Sequence, residues 1–145
     1  MLYVITGPPA SGKSSYVQSH AKASDIVIDL DVITRALSGP GAPQWSQDPI
    51  VLRVAHRARF AAIEEAIAQR DKVDVWLIHT QPSPKALVKY KRLDAQIVTV
   101  DPGQDIVMQR IEAMRDPDMR RVATRWYRHR PQATRESMPQ ASRPW

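Results

Sequence analysis

The chain contains no cysteine, which excludes disulfides, thiolate metal sites and a cysteine nucleophile. Nowhere does an apolar run approach the ~20 residues that a helix needs to cross a bilayer, so no membrane span is expected. Met1 is followed at once by β-forming residues, leaving no room for a leader, and a cytoplasmic location is expected. No repeat is visible, and 145 residues suffice for one domain with a real core but without large insertions. Acidic residues are missing at one end. From Met1 to Asp118, 14 Lys and Arg meet 14 Asp and Glu, whereas from Met119 to Trp145 seven arginines face Glu136 alone. That end suits a polyanionic partner such as nucleic acid, or is a solvated basic tail.

What is present is concentrated near the start. The apolar run Leu2-Tyr3-Val4-Ile5-Thr6 leads directly into Gly7-Pro8-Pro9-Ala10-Ser11-Gly12-Lys13-Ser14, and a helical segment from Ser14 to about Ala23 follows. This is GxxxxGKS in the strand–loop–helix context that a phosphate-binding P-loop requires. Glycines at both ends let the backbone curl so that its N–H groups converge on phosphate oxygens at the positive end of the helix. Gly7, Ala10, Ser11, Gly12, Lys13, Ser14 and Ser15 are therefore the candidate nucleotide-binding residues. Lys13 would reach the β- and γ-phosphates, and the Ser14 hydroxyl would ligate Mg²⁺.

The remaining pattern alternates strands and helices. Asp25 to Asp31 reads as a second strand, Val32 to Leu37 as a short helix, and Ser38 to Pro43 as a loop that could form a lip over a cleft. Asp48-Pro49, Ser83-Pro84, Asp101-Pro102 and Asp116-Pro117 each pair a capping residue with a proline suited to the first helical position. They predict a helix from Pro49 to about Arg70 with an inner stripe of Val51, Val54, Ala58, Ala61, Ala62 and Ala66. A strand over 73–78, a helix over 84–92, a strand over 95–100 and helices near 102–114 and 117–128 follow. Such alternation predicts an α/β fold, a P-loop three-layer sandwich with a short parallel sheet of about four strands and a helical lid near the C-terminus. Residues 1–130 would form this domain, and the proline-rich 131–145 an irregular basic tail onto which Trp145 could pin the chain end.

Functional groups should gather at the carboxyl ends of the strands. Asp29 and Asp31 lie two apart at the end of the second strand, on one side of an extended chain, with Arg35 a turn beyond. A general base accepting a proton from an attacking hydroxyl belongs there, although Asp31 could instead cap the next helix. The third strand ends in His79-Thr80-Gln81, where a P-loop enzyme would offer an acid. His79 could contact a phosphate or be a rim residue, and Thr80 and Gln81 could bond a substrate. Arg110, Arg115, Arg120 and Arg121 are candidates for a lid arginine over the transferred phosphate. In the stretch from Met119 to Pro131, five arginines interleave with Trp126, Tyr127 and His129. That composition fits a single-strand binding surface, and equally a helix that packs Trp126 inward.

In that order, the loop, Ile28-Asp29-Leu30-Asp31, Val75-Trp76-Leu77-Ile78-His79-Thr80-Gln81 and the basic helix end around Arg110 and Arg115 resemble the 5′-kinase domain of bacteriophage polynucleotide kinase. Its P-loop kinase relatives include small phage-encoded ATP-binding proteins and the zeta-toxin kinases. The resemblance spans roughly residues 1–130. It implies ATP·Mg²⁺ on Lys13 and Ser14, Asp31 as general base on a 5′-hydroxyl and Arg115 as the lid arginine, with Arg110 its competitor. The family usually has an arginine three residues after the base, where this chain has Thr34 followed by Arg35, and Asp-Thr-Asn where it has His79-Thr80-Gln81. Both departures fall in the acceptor pocket, among Asp29, Thr34, Arg35, His79 and Thr80. The implied activity is a phosphotransferase acting on a nucleic acid or nucleotide hydroxyl. The alternatives are a kinase of a small metabolite such as a nucleotide sugar, and a non-catalytic ATP-binding protein that regulates a macromolecular partner.

Overall fold

Four short strands set the frame. The computed structural model describes residues 1–43, 48–114 and 116–129. In chain order the elements are β1 (Leu2–Thr6), α1 (Lys13–His20), β2 (Ile26–Ile28), α2 (Leu30–Leu37), α3 (Pro49–Ala68), β3 (Val75–Ile78), α4 (Pro84–Arg92), β4 (Gln96–Thr99), α5 (Gln104–Met114) and α6 (Pro117–His129). The strands form one parallel sheet in the order β2-β3-β1-β4, the α/β architecture expected from the alternation. Leu2 pairs with Val75 and Ile5 with Ile78, while Tyr3 pairs with Gln96 and Thr6 with Thr99. The ends of β1, β3 and β4 are therefore level, and the P-loop leaves from between them.

Strand side chains alternate between faces, and both faces are covered. Leu2 and Val4 of β1 with Val75 and Leu77 of β3 pack with Ile63 and Ala66 of α3 and Tyr90 of α4. Ile5, Trp76, Ile78 and Val98 pack on the other side with Val17 of α1. The Trp76 ring stacks on Tyr3 at 4.2 Å between centroids, and its Nε1 donates to Asp25 Oδ2 at 3.0 Å. A third cluster joins Ala10 of the loop to Val107 and Ile111 of α5 and Ala123 of α6. The last helix pair is thereby seated on the loop itself.

The proline pairs place helix starts well. Asp48 accepts from Ile50 N, Ser83 from Ala86 N, and Asp116 from both Asp118 N and Met119 N. Asp101-Pro102 departs from expectation. Asp101 Oδ1 accepts from Gly103 N, Gly103 takes a φ of +109°, and α5 starts only at Gln104, because a left-handed residue cannot lie inside the helix. The second strand is shorter than expected, since Asp29 Oδ1 accepts from Asp31 N and starts α2 one residue after the strand. α1 likewise stops at His20. In α3 the expected stripe holds only in part. Ala66 is buried and Ala62 packs against the core, but Val54, Ala58 and Ala61 are exposed, and Ala55 and Ile63, outside the stripe, are buried. The loop after α2 is exposed and turns where Ala42 N donates to Gly39 O. No helix among the described residues is long and apolar enough to cross a membrane. The expected lid arginine Arg115, Arg130, and the tail 131–145 with Trp145 lie outside the described residues.

Candidate functional site: the phosphate-binding loop and the strand ends beside it

The loop takes backbone conformations that its sequence alone permits cheaply. Gly7 and Gly12 have φ of +148° and +98°, and Gly12 caps α1 from the left-handed region, where a Cβ would be strained. Ala10 occupies that region too, at +61°, held by the α5–α6 cluster and by Arg110, whose Nη1 donates to Ala10 O at 3.1 Å. Gly7 N donates to Thr80 O, tying the loop to the end of β3. The Ser11 hydroxyl is buried at the centre of the loop with no hydrogen-bond partner; Ser15 is half-buried in the first turns of α1.

Lys13 folds over its own loop, donating to Gly7 O at 2.9 Å and Pro8 O at 2.6 Å. Burial pushes its ammonium down to about 8, against the pull of Asp31 and Asp29, which favour the charge. Ser14 Oγ donates to Asp29 Oδ2 at 3.0 Å, and the other Asp29 oxygen accepts from Asp31 N. The two acids thus act differently, not side by side on a strand. Asp29 is a buried cap aimed at the loop, and Asp31 is exposed in the first turn of α2. A hydroxyl joined to a carboxylate is a hard oxygen donor set of the kind Mg²⁺ takes, with few protein ligands and the remainder from phosphate and water. An acid of this kind is expected at the end of β3, where His79 stands; in the structure a carboxylate meets the loop hydroxyl at the end of β2 instead.

The acceptor-side candidates divide. Thr34 is buried, its hydroxyl donating to Leu30 O at 2.7 Å, whereas Arg35 is exposed on α2. Thr80 O receives both Gly7 N and Trp126 Nε1, and Gln81 Nε2 donates to His129 O. His79 turns inward, edge-on to Tyr90 at 6.3 Å, its Nδ1 buried without a partner. Burial, aided by Arg59, pushes the ring down to about 4, so it is neutral at pH 7. Arg59 of α3 is the residue that sequence reasoning missed, and its Nη2 donates to Ile78 O at 3.2 Å.

A neutral buried histidine leaves a pH signature. The unfolded ring takes a proton near its ordinary 6.5 and the folded ring only near 4, so the unfolded state gains protons first as pH falls. His79 therefore costs stability as pH drops through that window, on the order of 2 kcal/mol at its lower end. In His79→Phe, urea unfolding at pH 7 and pH 4.5 is expected to show a smaller loss between the two pH values than in the wild type; an unchanged loss would place the ring in water.

The basic helix resolves one alternative. Trp126 is buried with its Nε1 donating to Thr80 O, and the half-buried Tyr127 donates its OH to Asp101 Oδ1 at 2.6 Å, so the two aromatics bind the helix to the residues that follow β3 and β4. Arg120, Arg121, Arg125 and Arg128 stay exposed. With Pro117, Thr124 and His129 they line a shallow concavity of about 410 Å³.

A protein-family model described as AAA domain matches residues 2–122, from the first strand into the sixth helix. No curated protein matches the chain.

Proposed function

The chain belongs to this AAA domain family, which includes P-loop nucleotide-binding kinases, and from that premise we propose that it is an ATP-dependent phosphotransferase. It moves the γ-phosphate of ATP to a hydroxyl of a nucleic acid or nucleotide, in the manner of a 5′-polynucleotide kinase. The observation that carries the reading is the junction of Ser14 with Asp29, which puts a P-loop hydroxyl, a carboxylate and the Asp31-bearing turn together. An acid beside the loop also favours catalysis over mere nucleotide binding.

In this reading the acceptor oxygen attacks the γ-phosphorus, the bond to the β-bridging oxygen breaks and ADP leaves. Asp31 takes the proton of the attacking hydroxyl. Lys13 lies against the β- and γ-phosphates, and the loop N–H groups hold them in line. Arg110, already on the loop at Ala10 O, is the described lid arginine best placed to meet charge on the transferred group, and Arg115 is its competitor. Ser14, with Asp29 behind it, would hold Mg²⁺, which when bound neutralises charge on the phosphate oxygens.

Phosphate next to Lys13 restores the charge that burial disfavours. At pH 8.5 the free ammonium, with its pKa of about 8, is mostly deprotonated, and binding of Mg·ATP is expected to take up about 0.7 proton. Calorimetry in two buffers of different ionisation enthalpy measures this uptake; none at pH 8.5 would mean that the lysine is already charged.

The exposed arginines of α6 support a polyanionic acceptor. Arg121→Gln/Arg125→Gln/Arg128→Gln together are expected to raise the KM for a 5′-hydroxyl oligonucleotide about tenfold and flatten its salt dependence, with the KM for ATP unchanged. A second reading, a small-metabolite acceptor such as a nucleotide sugar, is favoured by the burial of Trp126, which removes a base-stacking face. An unaltered oligonucleotide KM in the triple variant would favour it.

A further inference from the structure

α3 carries apolar residues on two faces, and one of them is bare. Ile63 and Ala66 pack on the sheet and Ala55 is buried on the same side. On the opposite side Ile50, Val54, Arg57, Ala61, Glu64 and Ala68 are all exposed. Ile50 is 76% and Val54 51% exposed, and Phe60, beside Ala61, is 67% exposed. A helix lying on a core normally turns a polar face to water. The six residues instead recur at steps of 4, 3, 4, 3 and 4, which is the repeat of a seam between two packed helices.

The charges in the seam indicate what covers it. Arg57 stands before its middle and Glu64 after it. If the face meets itself antiparallel, with a two-fold axis at Ala61, residues equally far before and after Ala61 come level. Arg57, four residues before, then meets the partner's Glu64 and the partner's Glu65, three and four residues after. Val54, seven before, meets the partner's Ala68, seven after. The axis makes every contact twice, and the small side chain of Ala61 lets the two backbones approach on it. Other arrangements lose the match. Shifting the axis half a step along the seam sets Arg57 against Ala61 or Ala68, and a parallel pair sets Arg57 on Arg57 and Glu64 on Glu64. Within the chain, Lys89 takes only Oε1 of Glu64, and Arg57 is in neither ion pair among the described residues.

We propose that this outer face of α3 is a self-association surface, on which a second copy of the chain packs antiparallel about a two-fold axis at Ala61. The proposal is independent of the phosphotransferase reading, because none of these residues belongs to the loop or to the strand ends. A helix of 20 residues is about 30 Å long. One such pair falls short of the ~1,200 Å² at which stable interfaces begin, so the dimer is a weak one, with a dissociation constant on the order of tens of micromolar.

Sedimentation velocity over about 1 to 500 µM is expected to show monomer passing into dimer. A chain that is still monomeric at the upper concentration overturns the proposal. Arg57→Glu and Glu64→Arg change exposed residues, so both should melt close to the wild type, and each is expected to weaken the dimer by about tenfold by setting like charges across the axis. Mixed in equal amounts, the two variants should associate as the wild type does, because an all-acidic seam then faces an all-basic one. Single variants that associate normally, or a mixture that does not recover, overturn the antiparallel pairing. The chain has no cysteine, so Ala61→Cys carries a unique thiol on the axis. A short bismaleimide is expected to join it into a covalent dimer, but not Lys91→Cys, which is exposed on α4. Equal yields from the two place the contact elsewhere and overturn the proposal as well.

Discussion

Gly7→Ala is expected to lower Mg·ATP affinity by at least about a hundredfold and to cost about 2–4 kcal/mol of stability. A Cβ at Gly7 would lie 2.2 Å from Val100 O and 2.9 Å from Ser11 Oγ. The serine could turn away, but the carbonyl cannot. Val100 is fully buried, and its N–H donates to Thr6 O at 2.8 Å, at the level end of the sheet. The φ of +148° adds strain of its own. The loop must therefore lift off β4, and its N–H groups no longer converge on one point. Gly39→Ala is the control, because a Cβ there meets nothing within 4 Å, and it should melt and bind as the wild type does. Thermal unfolding and calorimetric titration measure both effects. Wild-type binding by Gly7→Ala would mean that the close approach to Val100 does not shape the loop.

Asp31→Asn is expected to reduce kcat for phosphate transfer by about 10²–10⁴-fold, the range of a lost general base, while leaving the affinity for Mg·ATP within a few-fold. The amide keeps the size of the side chain and its place in the first turn of α2, but cannot take the proton of the attacking hydroxyl. The substitution also removes one of the charges that support the Lys13 ammonium. The comparison therefore belongs at or below pH 7, where that ammonium is charged in the wild type. A fall in ATP affinity as large as the fall in kcat would place Asp31 in nucleotide binding and leave the base elsewhere. An unchanged kcat would remove it from the chemistry.

The loop and the sheet were legible because each is written in local signals. Two glycines and a lysine at fixed spacing after a β-forming run define the first, and alternating apolar runs divided by capped prolines define the second. Three of the four capped prolines start helices at the expected residue. The fourth fails at Gly103, whose left-handed φ no pairwise rule anticipates. The end of β2 was legible in residue type but not in geometry. Whether Asp29 ends a strand or caps a helix depends on which N–H its carboxylate finds, and it finds Asp31 N. The inner stripe of α3 was legible at Ala62 and Ala66 but not in its first half, for a related reason. Its true face carries Arg59 between Ala55 and Ile63, and a charged residue in mid-stripe turns an apolar count toward the neighbouring phase. The spacing 55, 59, 63 was the signal, and it needs the location of Ile78 to have meaning. Trp126 and Tyr127 carried no local sign that their polar atoms would find Thr80 O and Asp101. Those partners lie on distant strand ends.

The central claim is that the loop delivers the γ-phosphate of ATP to a hydroxyl at the ends of β2 and β3. The most direct measurement follows the label from γ-labelled Mg·ATP in a single turnover with 5′-hydroxyl oligonucleotides, nucleosides and nucleotides offered in parallel. The account predicts label in an acceptor as a phosphate monoester, lost in Asp31→Asn. Label that stays in ATP, or appears only as inorganic phosphate with every acceptor, would contradict it.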